Sequence, residues 1–195
     1  MQYDIILVRY GEMTLKKKNY KQFLQKVNDN IKKKCVDIEG LKFFNTDYRF
    51  YIYLNGNDYN EVIQRLNTVV GLYSYSLCVS VDPNYDAIAS KAIELIKEEM
   101  NGETTFKVET NRSNKEFPAT SIQISQEIAK RILPKVEGLK VNVHNPQITL
   151  HIDLRCEGTY IFVKEVKGLG GYPSGIQGKG LLMMSGGIDS PVAGF

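Results

Sequence analysis

Cysteine and histidine are scarce in this chain, and their spacing excludes the commonest disulfide and metal sites. The 195 residues contain three cysteines, Cys35, Cys78 and Cys156, and two histidines, His144 and His151. The cysteines are odd in number and far apart, so they fit neither a zinc spacing nor a disulfide framework. We therefore expect buried thiols and structural histidines, and we assign no metal site to them.

Long apolar runs are missing as well. No stretch approaches the roughly 20 apolar residues of a membrane-spanning helix. The first residues, Met-Gln-Tyr-Asp-Ile-Ile, lack the basic region and cleavage site of a signal peptide. A composition of 43% hydrophobic and 24% charged residues is typical of a globular chain that forms one or two small domains. We therefore predict a cytoplasmic protein without a membrane partner.

Charge is nearly balanced overall but unevenly distributed. The net charge is +3, whereas residues 1–55 alone hold 11 Lys+Arg against 6 Asp+Glu. The positive field therefore belongs to the first part of the chain, which is the part suited to an anionic partner.

Hydrophobic periodicity predicts two successive α/β units. In the first unit the apolar spacing alternates between period two and period 3.6. It predicts strands Tyr3–Tyr10, Leu41–Asn45, Tyr48–Leu54 and Leu72–Val81, a helix Leu15–Lys34, and a second helix that starts after Asp58 and ends at Gly71. The order β-α-β-β-α-β over residues 1–81 is that of a ferredoxin-like domain.

Residues 82–166 predict a second unit with the order α-β-α-β-β-β. Its predicted helices are Asn84–Met100 and a segment that starts at Pro118 and stops at Pro134. Its predicted strands are Thr104–Thr110, Leu139–Val143, Gln147–Leu154 and Thr159–Val166.

A glycine-rich linker, residues 167–180, leads to the last segment, residues 181–195. Leu181–Met184 predicts a buried parallel strand, and Ile188–Phe195 predicts the start of a helix. Between them the Gly186-Gly187 pair lets successive N–H groups face one concavity that suits phosphate oxygens. The alternative is that these glycines form an ordinary turn.

These patterns resemble three parts of one known family. Ser185–Ser190 resembles the PP-loop of ATP pyrophosphatases, and residues 82–166 resemble a THUMP domain through Phe106–Val108, Asn111–Pro118 and Ile148–Asp153. Gly168–Gly175 and Gly178–Gly180 resemble the linker of the ThiI family of tRNA 4-thiouridine synthetases. The resemblance implies an α+β chain: a ferredoxin-like βαββαβ domain, an α/β THUMP domain, and the first strand and loop of a truncated α/β PP-loop domain.

The resemblance also implies an activity. Such enzymes use ATP and Mg to adenylate uridine 8 of tRNA and replace its O4 with sulfur from a cysteine desulfurase, and many serve thiamine thiazole synthesis. Ser185, Gly186, Gly187 and Ser190 would hold the pyrophosphate, Asp189 would serve a magnesium ion or the loop itself, and Met183 and Met184 would border the nucleotide. We expect no catalytic residue in this chain, and therefore no turnover from it alone. A homodimer stays open.

For RNA, the THUMP resemblance implies that Lys107, Arg112, Lys115 and Arg131 contact acceptor-stem phosphates, with Lys16, Lys17 and Lys18 extending that surface. Two other interpretations stay open. The chain could be a non-catalytic tRNA-binding module whose terminal loop binds nothing. The lysine-rich helix could be only a solvated face.

Overall fold

The computed structural model describes residues 3–11, 19–46, 48–113, 117–178, 180–184 and 186–194. The first unit consists of two helices packed on one face of four strands. Its elements are β1 (Ile5–Arg9), α1 (Tyr20–Lys34), β2 (Lys42–Asn45), β3 (Arg49–Tyr53), α2 (Tyr59–Leu66) and β4 (Ser74–Val81). The predicted order β-α-β-β-α-β is confirmed.

The second unit carries its helices in the same way. Its elements are α3 (Tyr85–Glu99), β5 (Thr104–Arg112), α4 (Ser121–Ile132), β6 (Leu139–Val141), β7 (Ile148–Arg155) and β8 (Gly158–Phe162). A two-residue strand, β9 (Val166–Lys167), and a six-residue helix, α5 (Asp189–Gly194), follow. The predicted strand Thr159–Val166 is therefore two short strands with an irregular connection between them.

One sheet runs through both units, in the order β2-β3-β1-β4-β8-β7-β5-β6, with β9 added beside β4. Strand β4 connects the two units, because its two halves pair with different strands. Its first half pairs antiparallel with β1, as far as Cys78 opposite Ile5, and Val79 to Val81 pair antiparallel with β8. β5 runs parallel to both β6 and β7.

Apolar side chains form one core under each helix pair. In the first unit Val27 and Ile31 of α1 and Val62 and Leu66 of α2 are fully buried. In the second, isoleucines of α3 and α4 pack on β5 and β7. Full burial of each such side chain contributes about 1.5–3 kcal/mol. A third cluster (Ile5, Leu7, Tyr51, Cys78, Tyr160, Phe162) lies on the helix-free face and joins the two units.

The helix predicted to start at Pro118 starts instead at Ser121. Thr120 is its extended N-cap and forms a capping box with Gln123, so the first free N–H groups are satisfied there and not at the proline. The predicted end near Pro134 agrees with the structure, because α4 ends at Ile132 and Pro134 lies in the 3-10 turn that follows, Leu133–Lys135. The early part of the predicted helix Leu15–Lys34 falls partly outside the described residues.

The predicted strand Leu181–Met184 is wrong. These four residues have no strand hydrogen bonds, and Leu181 and Met183 are 94% and 84% exposed. A buried parallel strand needs a partner strand and covering helices, and no described residue pairs with this segment. Among the described helices, none is long and apolar enough to cross a membrane.

Candidate nucleic-acid interface

A cleft of about 630 Å³ lies where the first and second units meet, and the start of α4 forms part of its wall. It opens beside β5, whose outer edge pairs with β6 only from Thr104 to Phe106. Beyond Phe106 no described strand covers that edge. Side chains from both units line the cleft: Arg9, Arg49, Val108, Glu109, Thr110, Asn111, Ser121, Ile122, Ser125, Gln126, Val143, His151, Ile152, Asp153, Phe162 and Glu165.

Two arginines stand side by side at the first-unit wall of the cleft. Arg9 on β1 lies directly opposite Arg49 on β3. Both point away from α1 and α2, because their neighbours Val8 and Phe50 fill the core beneath those helices. Like charges placed directly opposite each other in a sheet repel, so this arrangement favours a bound anion.

Arg9 is held in place by contacts on several sides. Its Nη1 donates to Ser76 Oγ at 3.0 Å, and its guanidinium lies 4.9 Å from the centre of the Phe162 ring. Glu165 Oε2 is 3.9 Å away. Burial lowers the Arg9 pKa, although Glu165 partly opposes this effect. Arg9 is therefore a fixed positive charge.

Arg49, by contrast, has no ion-pair partner among the described residues, and its Nε is buried without a hydrogen-bond acceptor. Each carboxylate of the cleft lining already has a cationic neighbour. Lys107 pairs with Glu109, Arg155 Nε donates to Asp153 at 2.9 Å, and Glu165 faces Arg9. Among the described residues, Arg49 is therefore the arginine of the cleft lining that forms no ion pair.

Other buried polar atoms around the two arginines also have no hydrogen-bond partner in the described part of the chain. They are Ser74 Oγ, Tyr51 Oη and Asp153 Oδ1. Ser74 lies opposite Arg9 on β4, and Tyr51 is two residues from Arg49 on the same face of β3. An unsatisfied buried polar atom costs about 1–3 kcal/mol. Such a cluster is typical of a binding site that a ligand or water completes.

A second hollow of about 340 Å³ continues from Arg9 and Arg49 away from β5. Tyr48 and Tyr73 are 63% and 49% exposed at its rim, and Arg155 adds a third guanidinium. Gly11 has φ +57°, and a Cβ there would lie 2.5 Å from the Tyr73 ring, so this position requires glycine. Arginines between exposed aromatic rings suit RNA phosphates and stacked bases.

His151 lines the wall of the cleft that the second unit forms. Its ring stacks on Phe162 at 4.8 Å, and its Nδ1 is 3.5 Å from Glu109 Oε2. Burial lowers the His151 pKa, with Glu109 acting in the opposite direction. The folded protein therefore favours the uncharged imidazole more than an exposed site would.

The structure does not gather the predicted RNA-binding residues into one cluster. Lys107 pairs with Glu109 on one face of β5, whereas Arg112, five residues later, lies on the other face and donates to the Phe117 carbonyl at 2.7 Å. Arg131 pairs with Glu127 and Asp86 and stacks 5.2 Å from the Tyr85 ring. Lys16, Lys17, Lys18 and Lys115 lie outside the described residues. The RNA contacts of all seven stay predictions.

The sequence analysis missed Arg9, Arg49 and the two tyrosines. One signal was present in the sequence: Arg9 and Arg49 each lie within an apolar strand pattern, at the alternate positions that face away from the helices. Only the strand register shows that they are neighbours.

The described part of the segment predicted as a phosphate loop is a bend followed by a short helix. Gly186 and Gly187 lie in the bend, and Asp189 and Ser190 begin α5, while Ser185 falls outside the described residues. Backbone N–H groups and a hydroxyl fit phosphate oxygens chemically. Met183 and Met184 are exposed, and residues 180–184 and 186–194 do not line either of the two hollows described above. These residues therefore fit the phosphate part of ATP, and their role stays a prediction.

Family models match both units of the fold. The family model for the ThiI ferredoxin-like domain matches residues 5–76, and the THUMP domain model matches residues 83–164.

Whole-chain comparisons give the same result. The chain is 45% identical to a "Probable tRNA sulfurtransferase" of Acholeplasma laidlawii, over 96% of this chain and 45% of that protein. A protein of the same name from Oceanobacillus iheyensis is 43% identical over 100% of this chain and 48% of its own length. The crystal structure of a 4-thiouridine synthetase–RNA complex with bound ATP superposes with a TM-score of 0.83 and 32% identity, covering 99% of this chain and 49% of that one. The chain belongs to the ThiI family, and it spans about half the length of the curated relatives it matches.

Proposed function

We propose that this chain is the tRNA-binding part of a cytoplasmic, ATP-dependent tRNA sulfurtransferase that converts uridine 8 to 4-thiouridine. The observation that carries the proposal is the cleft in which Arg9 and Arg49 stand side by side while Arg49 has no acidic partner among the described residues. Support comes from the names of the relatives and from the RNA and ATP in the similar crystal structure.

The cleft binds the RNA backbone and unpaired nucleotides. A phosphate between Arg9 and Arg49 removes their mutual repulsion and satisfies the Arg49 guanidinium. Tyr48 and Tyr73 then offer ring faces to adjacent bases, and every base has a face that stacks. An RNA duplex hides its base edges in a deep groove, so this surface recognises backbone shape and the tRNA end more than sequence.

The phosphate loop serves the chemical step. ATP, when bound with Mg, supplies the activation that makes uridine O4 a good leaving group. Gly186 and Gly187 N–H groups and the Ser190 hydroxyl hold phosphate oxygens, Asp189 holds the magnesium ion or orders the loop, and Met183 and Met184 border the nucleotide. A cysteine desulfurase delivers the sulfur, the same sulfur transfer serves thiamine thiazole synthesis, and the protein is compatible with a homodimer.

The direct test is binding of a fluorescent tRNA acceptor-stem minihelix, compared with a DNA duplex of the same sequence. We expect tighter binding of the RNA and a steep loss of affinity with salt, because phosphate contacts release counterions. Equal affinity for both duplexes, or binding that salt does not change, would contradict an RNA-backbone site. The 4-thiouridine content of tRNA from cells that lack the gene tests the activity itself.

A further inference from the structure

The glycine-rich segment Val166–Ile176, which we call the strap, is bound to the first unit along its whole length. β9 extends the sheet beside β4, with Val166 opposite Tyr75 and Lys167 opposite Ser74. Three further backbone hydrogen bonds follow: Gly168 N to Tyr73 O at 2.8 Å, Gly170 N to Leu72 O at 2.8 Å, and Gly71 N to Gly170 O at 2.7 Å. The strap therefore behaves as an added edge strand and turn.

Side chains continue the attachment after the backbone bonds end. The Tyr172 ring meets the Phe23 ring of α1 at 5.5 Å, and Pro173 is buried against Gly71. Asn30 Nδ2 of α1 donates to the Ser174 carbonyl at 3.2 Å. Ile176 packs against the core of the first unit. The chain that follows the strap therefore departs from the α1 side of the first unit.

The strap and the RNA-facing hollow share one short segment of backbone. Tyr73 N donates to Arg9 O, while Tyr73 O accepts from Gly168 N in the strap. The same residue thus contacts the strand that carries Arg9, presents its ring to the hollow, and binds the strap. A glycine-rich linker free in solution would have an end-to-end distance that varies around roughly 17 Å for ten residues. The backbone bonds remove that freedom.

We propose that the strap is a positioning element: it holds the segment after residue 178 at a fixed place relative to the Arg9–Arg49 cleft. This inference rests on the proposed function, since it assigns to the strap the placement of the phosphate loop relative to bound tRNA. Gly168, Gly71 and Tyr172 are positioning residues in this scheme. None of them needs to touch RNA or ATP.

Two glycines with different surroundings, Gly168 and Gly180, provide a matched pair of variants for the test. A Cβ at Gly168 would lie 2.4 Å from the Leu72 carbonyl oxygen, so Gly168→Ala must displace the strap. A Cβ at Gly180 meets no described atom within 4 Å, and neither glycine has positive φ, so Gly180→Ala is the control. Tyr172→Ala, at a half-exposed side chain, loosens the strap without a backbone clash.

Amide hydrogen exchange on this chain tests the attachment. We expect Gly71, Gly168 and Gly170 amides to be protected in the wild type and in Gly180→Ala, and to exchange faster in Gly168→Ala and Tyr172→Ala. Exchange of these three amides in the wild type at the rate of an unstructured peptide would overturn the proposal.

The full-length protein tests the positioning. We expect Gly168→Ala and Tyr172→Ala to keep minihelix affinity within about twofold of wild type and to lower 4-thiouridine formation by about tenfold or more, because small misplacements at a reacting centre cost that much. Modification at the Gly180→Ala level in both variants would refute the positioning role. A wild type that neither binds nor modifies tRNA would instead remove the proposed function, and hydrogen exchange would still decide whether the strap is fixed.

Discussion

Replacing Arg49 by methionine should weaken RNA binding without destabilising the fold. Most arginine substitutions at half-buried positions break an ion pair, but Arg49 makes none with a described residue, and its Nε is buried and unsatisfied. Methionine keeps an unbranched apolar stem of similar length while it removes the charge. It also removes the repulsion between Arg49 and Arg9, which are directly paired across β1 and β3. The free energy of unfolding should therefore stay constant or rise.

The expected loss of RNA affinity follows from the contact that disappears. A hydrogen bond to a charged group contributes about 1.5–3 kcal/mol, and each 1.4 kcal/mol is a factor of ten in affinity. Arg49→Met should thus weaken minihelix binding by about 10-fold to 150-fold. The slope of log affinity against log salt should become shallower by about 0.7–0.9, the value for one phosphate contact.

Fluorescence anisotropy at several salt concentrations measures both quantities, and thermal unfolding measures the stability. Arg65→Met is the matched control because it removes the same charge from α2, where Arg65 Nη2 pairs with Asp37 at 2.7 Å. Its affinity for the minihelix should stay close to wild type. Identical affinities and salt slopes for the two variants would refute the assignment of Arg49 to a phosphate.

Three further predictions use other parts of the chain. In the full-length protein Asp189→Ala should abolish thiolation and leave tRNA affinity unchanged, and an equal loss of both would contradict the division between loop and cleft. Burial lowers the folded-state pKa of His151. Below about pH 6.5 the unfolded chain therefore binds more protons than the folded chain, and the free energy of unfolding falls as the pH drops through the lowered pKa. Between about pH 7 and pH 5 the melting temperature of His151→Gln should therefore fall less than that of wild type. The titratable and charged groups that face this ring are present in both proteins, so the difference reports His151 itself; they are Glu109, Arg9, Glu165 and Lys107. The expectation of buried thiols holds for Cys35 and Cys78 and is wrong for Cys156, which is exposed. A thiol reagent should therefore modify only Cys156 in the folded protein, since burial raises the pKa of Cys35 to about 11 and that of Cys78 to about 12; labelling of all three before unfolding would show that the cores are open.

Local periodicity was sufficient to predict most helices and strands of this fold, because each one buries a face whose apolar residues are visible in the sequence. The spacing of Phe23, Val27 and Ile31 predicted a helix at α1, and the structure buries those residues. Because of Pro118, the start of α4 was predicted too early. The side-chain oxygen that caps the helix belongs to Thr120, and this hydrogen bond outweighs the preference of proline for a first turn. The strand predicted at Leu181–Met184 was wrong for a different reason: apolar residues form a strand only where a neighbouring strand pairs with them.

The candidate site was harder to predict because it depends on pairs of residues far apart in sequence. Forty residues separate Arg9 from Arg49, and the pairing register of β1 and β3 alone makes them neighbours. Residue type alone led to the prediction that Lys107 and Arg131 contact RNA. In the structure their side chains form ion pairs within the chain. Charge counts identify a basic region; register and ion pairing decide which charges stay available.

The change of partner along β4 has a kinetic consequence. Because one strand pairs with β1 in its first half and with β8 in its second, the units cannot rotate apart without breaking sheet hydrogen bonds. The cleft between them is therefore open before any ligand arrives, and its shape needs no hinge movement on encounter. RNA should associate in a single concentration-dependent phase whose rate is set by diffusion and by attraction to the arginines. Differences in affinity among variants should then appear mainly as differences in how long the RNA stays bound.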